Sequence, residues 1–148
     1  MNKETRYELK NPIKYMAGGQ GEREGSFITI RAPAFKHMES FVPVKQAFTN
    51  AVFKFQDSAE TDDSNRNDDN EKTEIDPTEA MTLLYNYPDD LSEIFKHARK
   101  LLSSGVAMIE GETKLTQSLI DDMALEDAEG LIGSYIVNFI MPSLISGT

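Results

Sequence analysis

The sequence predicts an α+β fold: an N-terminal β-hairpin, with a candidate third short strand, packed on about five α-helices, with a disordered acidic loop. Three observations carry this. Aromatic and β-branched residues flank a glycine-rich turn near the N-terminus. Apolar residues recur at spacings of three and four over most of the chain beyond that hairpin. Between two such helical stretches lies a segment too polar to join either one. At 148 residues the chain is one ordinary domain, large enough for a real core.

Tyr7, Leu9, Ile13 and Tyr15 mark the first arm of the hairpin. Pro12 interrupts it and cannot donate a ladder hydrogen bond, so this arm is an edge strand or is bulged there. Gly18, Gly19, Gly21 and Gly25 predict a long flexible turn. Phe27–Arg31 is the return arm and ends at Ala32 and Pro33. A helix is expected over 34–56, because Phe41, Val44, Phe48, Val52 and Phe55 fall on one face. Phe35 and Met38 extend that stripe upstream. Pro43 belongs in the first turn, or kinks a helix that starts nearer Phe35.

Residues 57–76 hold nine acids, two bases and only Ala59 and Ile75 as apolar groups. Ordering a residue costs about 1–2 kcal/mol. This stretch has no apolar surface to offset that, so it reads as a disordered acidic insert in a single domain. Asp76, Pro77 and Glu79 then form the sharpest helix start in the chain: a cap, a proline suited to the first helical position, and a capping-box acid. Met81, Leu84 and Tyr85 face inward on that helix. Tyr87–Asp90 ends it and starts the next, with Asp89 and Asp90 favourable to the helix dipole. Leu91, Ile94, Phe95, Ala98, Leu101 and Leu102 line the second helix, and Gly105 sits where a left-handed cap belongs.

Val106–Ile109 is the candidate third strand, turned by Glu110–Glu112. Thr116 caps a short helix bearing Leu119, Ile120 and Met123. A final helix from about Glu126 carries Leu131, Ile132, Tyr135, Ile136, Phe139 and Ile140, widened by Val137 and Met141. A helix apolar on most sides is either deeply buried or docked onto a partner.

The formal net charge of -10 excludes a general phosphate-backbone binder and an electrostatic membrane-surface binder as default readings. Most of that charge is local. Outside 57–76 the balance is 16 acids against 13 bases. With no Cys, thiol chemistry is impossible. Neither His37 nor His97 has a second His or a carboxylate at metal-ligand spacing that stands out, and no Ser-His-Asp arrangement has local support. Gly18–Gly21 lacks the Lys-Ser/Thr pair of a phosphate loop. Asp63, Asn65, Asn67, Asp69, Glu71 and Glu74 match calcium-loop spacing, but Asp68 stands where glycine makes the turn and Asn70 where an apolar anchor belongs. A solvated loop is the better reading. No enzyme activity, cofactor or metal is expected. The charged N-terminus is no signal peptide, and no apolar run reaches a clean 20 residues, so a soluble cytoplasmic protein is expected.

Seven Met and eight Phe supply adaptable apolar surface. The C-terminal end, with Tyr135, Phe139, Met141 and Leu144, ranks first as a partner contact. The runs Tyr7–Ile13 and Ile28–Pro33 resemble the opening strands of phage tail assembly chaperones. Lys114–Met123, Leu125–Asp127 and Tyr135–Phe139 resemble that family's closing helices. The resemblance implies a non-catalytic protein made in the host cytoplasm during infection and absent from the finished virion. Such proteins keep the tape measure protein soluble and recruit tail tube protein, and many also exist in a longer frameshifted form. An alternative is an acidic decoy that inhibits a host nucleic-acid-binding protein, its carboxylates standing in for phosphates.

Overall fold

A computed structural model describes residues 4–17, 19, 21–60 and 77–145, without the side chains of 57–60, 144 and 145. Strands β1 (Glu4–Met16) and β2 (Glu22–Arg31) form the antiparallel hairpin. Register runs from Glu4 opposite Arg31 to Glu8 opposite Phe27, then resumes with Ile13 opposite Gly25. Leu9–Pro12 therefore bulges, as Pro12 led one to expect, and β1 is an edge of the sheet.

The turn is shorter than predicted. Pairing continues to Met16 opposite Glu22, and the Ala17 N–H donates to the Gly21 carbonyl at 3.0 Å. Gly25 belongs to β2 and not to the turn. A Cβ there would lie 2.5 Å from Ile109 Cγ2 and 3.2 Å from the Tyr15 ring. Its missing side chain is the space that the Tyr15 and Ile109 side chains fill.

The third strand, β3 (Ala107–Ile109), pairs with β2 and sets Ile28 opposite Ile109. A fourth, β4 (Thr113–Lys114), was not foreseen; two residues are too short to show a period of two. The sheet order is β1-β2-β3-β4. In the β3–β4 turn Glu110 has φ 53°, although it is not glycine. Its carboxylate holds it there by accepting from the Ser26 N–H at 2.8 Å and the Ser26 hydroxyl at 3.1 Å.

A 3-10 turn (Phe35–His37) opens α1 (Met38–Glu60). This helix runs four residues beyond the predicted end, into the acidic segment, and Pro43 lies inside it, which fits the second of the two expectations, a helix that starts nearer Phe35. Then come α2 (Pro77–Tyr85) and α3 (Pro88–Leu101), each with proline at its first position. Past α3 a wider turn, Leu102–Val106, reaches Gly105 at φ 116°, the predicted left-handed ending. Helix α4 (Gln117–Asp122) is capped by Thr116, whose hydroxyl accepts from the Leu119 N–H. Helix α5 (Leu125–Tyr135) passes through a wide turn, Ile136–Ile140, into α6 (Met141–Ile145). Because α5 and α6 are one continuous rod, the helical bodies number five among the described residues.

Helices α1 and α3 lie antiparallel. Lys54, late in α1, meets Asp90 at the start of α3 with 2.8 Å between Nζ and Oδ2. Asp90 is thus a buried ion-pair partner, more than the dipole acid it was predicted to be. Ile28, Ile30, Leu84, Ile94, Leu131 and Ile136 anchor one buried cluster between sheet and helices. Tyr85, predicted inward, is exposed. The predicted acidic loop beyond Glu60, the calcium-like spacing from Asp63 to Glu74 and the Asp76 cap lie outside the described residues.

Candidate functional site

The C-terminal helix, ranked first from the sequence, is packed inside. Tyr135 is 2% exposed and Phe139 is 7% exposed, and their ring centroids are 4.8 Å apart. The Tyr135 hydroxyl donates to the Arg31 carbonyl at 3.4 Å, and burial pushes this phenol far above its ordinary range. Met141 is half-buried; Leu144 belongs to α6, but its side chain lies outside the described residues. Of the two fates open to so apolar a helix, burial or docking, the fold takes burial. The hairpin's inner face needed that cover.

The exposed apolar surface is elsewhere, on α1. Its inward stripe is buried at Phe41, Val44 and Phe48 but opens at Phe55, where α1 runs past the first residues of α3. On the opposite face Phe35 is 92% exposed, Phe53 60% and Val42 51%, with Met38 also open. Phe35 and Phe53 are 18 residues apart, about five whole turns at 3.6 residues per turn, so they point the same way. Val42 deviates from that line by only about 20°. Gln46 and Thr49 complete the strip between them, tied to their own helix by bonds to Asn50 and the Lys45 carbonyl. The result is a narrow apolar stripe with a polar middle. Phe35 and Met38 were expected to extend the core stripe. They sit instead on the outer face, because at 100° per residue Phe35 and Met38 fall about 180° and 120° from Val44.

Charges of both signs border the stripe: exposed Glu39 falls about 40° from its line, and Lys36 and Lys45 lie nearby. Arg31, Lys36 and Lys45 make no ion pair among the described residues. Arg31 and Lys36 line a cavity of about 280 Å³ with Ala32, Ala34, His37 and Gly105. A second, larger cleft of about 480 Å³ lies between β1, α2 and α5. Its acids are already engaged: Glu126 with Asn11, Glu129 with Tyr85, and Glu8 with Arg6. That arrangement ties elements together and presents no free acid–base pair.

The chain matches no family model, and no curated protein or solved structure shows significant similarity to it. The functional reading therefore rests on its own surface. Among the described residues no group of three or more His, Asp or Glu could hold a metal ion, and no helix is long and apolar enough to cross a membrane. The outer stripe could have been found in the sequence, since Phe35, Met38, Val42 and Phe53 keep helical spacing. It was masked by the stronger inward stripe on the same helix.

Proposed function

We propose that this protein is a non-catalytic phage tail assembly chaperone, which holds an amphipathic segment of a tape measure protein against the outer face of α1 and recruits tail tube protein to it. It acts in the host cytoplasm and leaves before the virion is complete. The observation that carries the reading is the row of Phe35, Val42 and Phe53, open to solvent on one face of a long helix. Fully burying one such side chain is worth about 1.5–3 kcal/mol. Three of them on one strip give a reversible grip once the cost of association is subtracted. A long helical tape measure protein exposes apolar stripes before the tube encloses it, and helix-on-helix docking needs anchors at this spacing. The resemblance of Tyr7–Ile13 and Ile28–Pro33 to the opening strands of that family supports the same reading.

The test is co-expression with a tape measure protein from the same phage. The wild-type chain should raise the soluble fraction of that protein and co-purify with it. The triple variant Phe35→Ser, Val42→Ser, Phe53→Ser should lose at least tenfold in affinity while keeping its circular dichroism and melting temperature, because all three side chains are exposed. An unchanged soluble fraction with no co-purification by the wild-type chain would overturn the proposal.

A further inference from the structure

The outer face of α1 has a symmetry of its own. Measured from the line through Phe35 and Phe53 at about 100° per residue, Val42 and Gln46 lie about 20° to either side, Thr49 and Glu39 about 40°, and Met38 and Asn50 about 60°. Val42, Thr49 and Met38 share one flank, and Gln46, Glu39 and Asn50 share the other. Thr49 is half-buried and the rest are exposed. Phe35 and Phe53 stand at equal distances from the level of Val44. Within one residue, so do Glu39 and Asn50 on one flank and Met38 and Thr49 on the other. The row therefore reads nearly the same from either end.

Such a row is complementary to itself. A two-fold axis at the level of Val44 lays a second α1 antiparallel on the first and returns each flank to its own side. Phe35 then meets Phe53 of the second copy, at both ends of the contact. Glu39 meets Asn50, Met38 meets Thr49, and Val42 and Gln46 each lie about one turn from their own equivalents. A parallel pair crosses the flanks, sets Glu39 against Met38, and brings like ends of the helix dipole together. Charge also favours the antiparallel pair. Arg31 and Lys36, not ion-paired among the described residues, stand at the start of α1, whereas its end leads into residues 57–76, with nine acids against two bases. At about 200 Å² for an open Phe side chain, the exposed parts of Phe35 and Phe53 alone give about 300 Å² per copy. With Val42, Met38 and the polar flank, two copies bury on the order of 1,000 Å², below the roughly 1,200–2,000 Å² of stable interfaces. We infer that a second copy of this chain closes the uncovered face of α1, in a weak antiparallel two-fold dimer. The dimer needs only the stripe and no client; a tape measure segment that takes the same face displaces the second copy.

The full chain is followed by sedimentation equilibrium from about 10 µM to about 1 mM, a range suited to so small an interface, at about 0.15 M salt to screen its net charge. The wild-type mass should rise from that of one chain towards that of two. The triple variant Phe35→Ser, Val42→Ser, Phe53→Ser should stay monomeric with an unchanged melting temperature, because all three side chains are exposed. The chain has no Cys, so introduced thiols report on this contact alone. Chains carrying Phe35→Cys are mixed with chains carrying Phe53→Cys in a glutathione redox buffer. Facing positions on helices about 8–10 Å apart bring Cα atoms within disulfide reach. The mixed disulfide should exceed either homodisulfide by at least about fivefold, since the other end of that pair keeps its Phe53–Phe35 contact. A wild-type chain that stays monomeric at the highest concentration, a dimer that survives in the triple variant, or disulfides in statistical proportion would each overturn the inference. No tape measure protein enters either measurement, so failure here is distinct from failure of the chaperone reading.

Discussion

Asp127 shows how one side chain can define a fold. It is fully buried in the first turn of α5. Its carboxylate accepts from the Lys10 N–H at 2.9 Å, the Asn11 N–H at 2.8 Å, the Asn11 side-chain amide at 3.2 Å and the Tyr7 hydroxyl at 3.3 Å. The two backbone donors are free because Pro12 and the bulge take this part of β1 out of the ladder. Removing the carboxylate would leave them unpaired at about 1–3 kcal/mol each. Asp127→Ala should therefore lose about 3–5 kcal/mol in urea denaturation. A loss below about 1 kcal/mol would mean that water replaces the carboxylate at little cost. Tyr7 gives a pH signature at the same place. Burial first, then the charge and hydrogen bond of Asp127, push its phenol from 10 up to about 12. The native state thus favours the neutral phenol. Its contribution is complete below pH 10 and is lost as pH rises through 12. Wild-type stability should fall across that window, and Tyr7→Phe should flatten the fall; identical profiles would remove Tyr7 from the account.

At the scale of elements, most of the fold was legible because most elements carry a strong local signal. Helices α2 and α3 announce themselves by proline at the first position, the wide turn after α3 carries the left-handed Gly105, and α4 begins at its Thr116 cap. The misses share one cause: contacts distant in sequence. Glu22–Gly25 looks like turn until Tyr15 and Ile109 are set against Gly25. Asp127 looks like a surface acid until the β1 bulge reaches it. The stripe on α1 could be counted in the sequence, but which of its two faces is covered depends on where α3 lies. Gly133 belongs to the same class. Within a helix it reads as a weak point, whereas a Cβ there would come 2.9 Å from the Pro77 carbonyl oxygen of α2. Alanine gains about 1 kcal/mol over glycine in helix propensity, and overpacking costs about 1–3 kcal/mol. Gly133→Ala should therefore be near neutral or mildly destabilising. Gly133→Val, bulkier and β-branched, should lose about 2–3 kcal/mol and speed amide exchange in α2. Faster exchange confined to α5 would place the contact elsewhere.

At the scale of the whole molecule, the question is whether the net charge of -10 is the working surface or a property carried beside it. The charge is concentrated in residues 57–76, whereas the stripe of Phe35, Val42 and Phe53 has Lys36 and Lys45 nearby, neither of them ion-paired among the described residues. A decoy and a chaperone use these two regions in opposite ways. Replacing Asp62, Asp63, Asp68, Asp69, Glu71 and Glu74 by Asn or Gln removes six of the ten excess negative charges and changes neither the stripe nor Pro77. A chaperone should then keep its tape measure affinity within about threefold, because surface charges at a distance act mainly on association rate and salt dependence. Solubility of the isolated chain should fall, since net charge far from zero opposes self-association. A decoy should lose its target, because the carboxylates that stand in for phosphates are gone. Both outcomes can be read in one experiment, by comparing wild-type and neutralised chains against a tape measure protein and against a cationic nucleic-acid-binding protein. Retained binding to the first would leave the charge a solubility device. Binding to the second that disappears on neutralisation would make the acidic segment the functional element and the α1 stripe incidental.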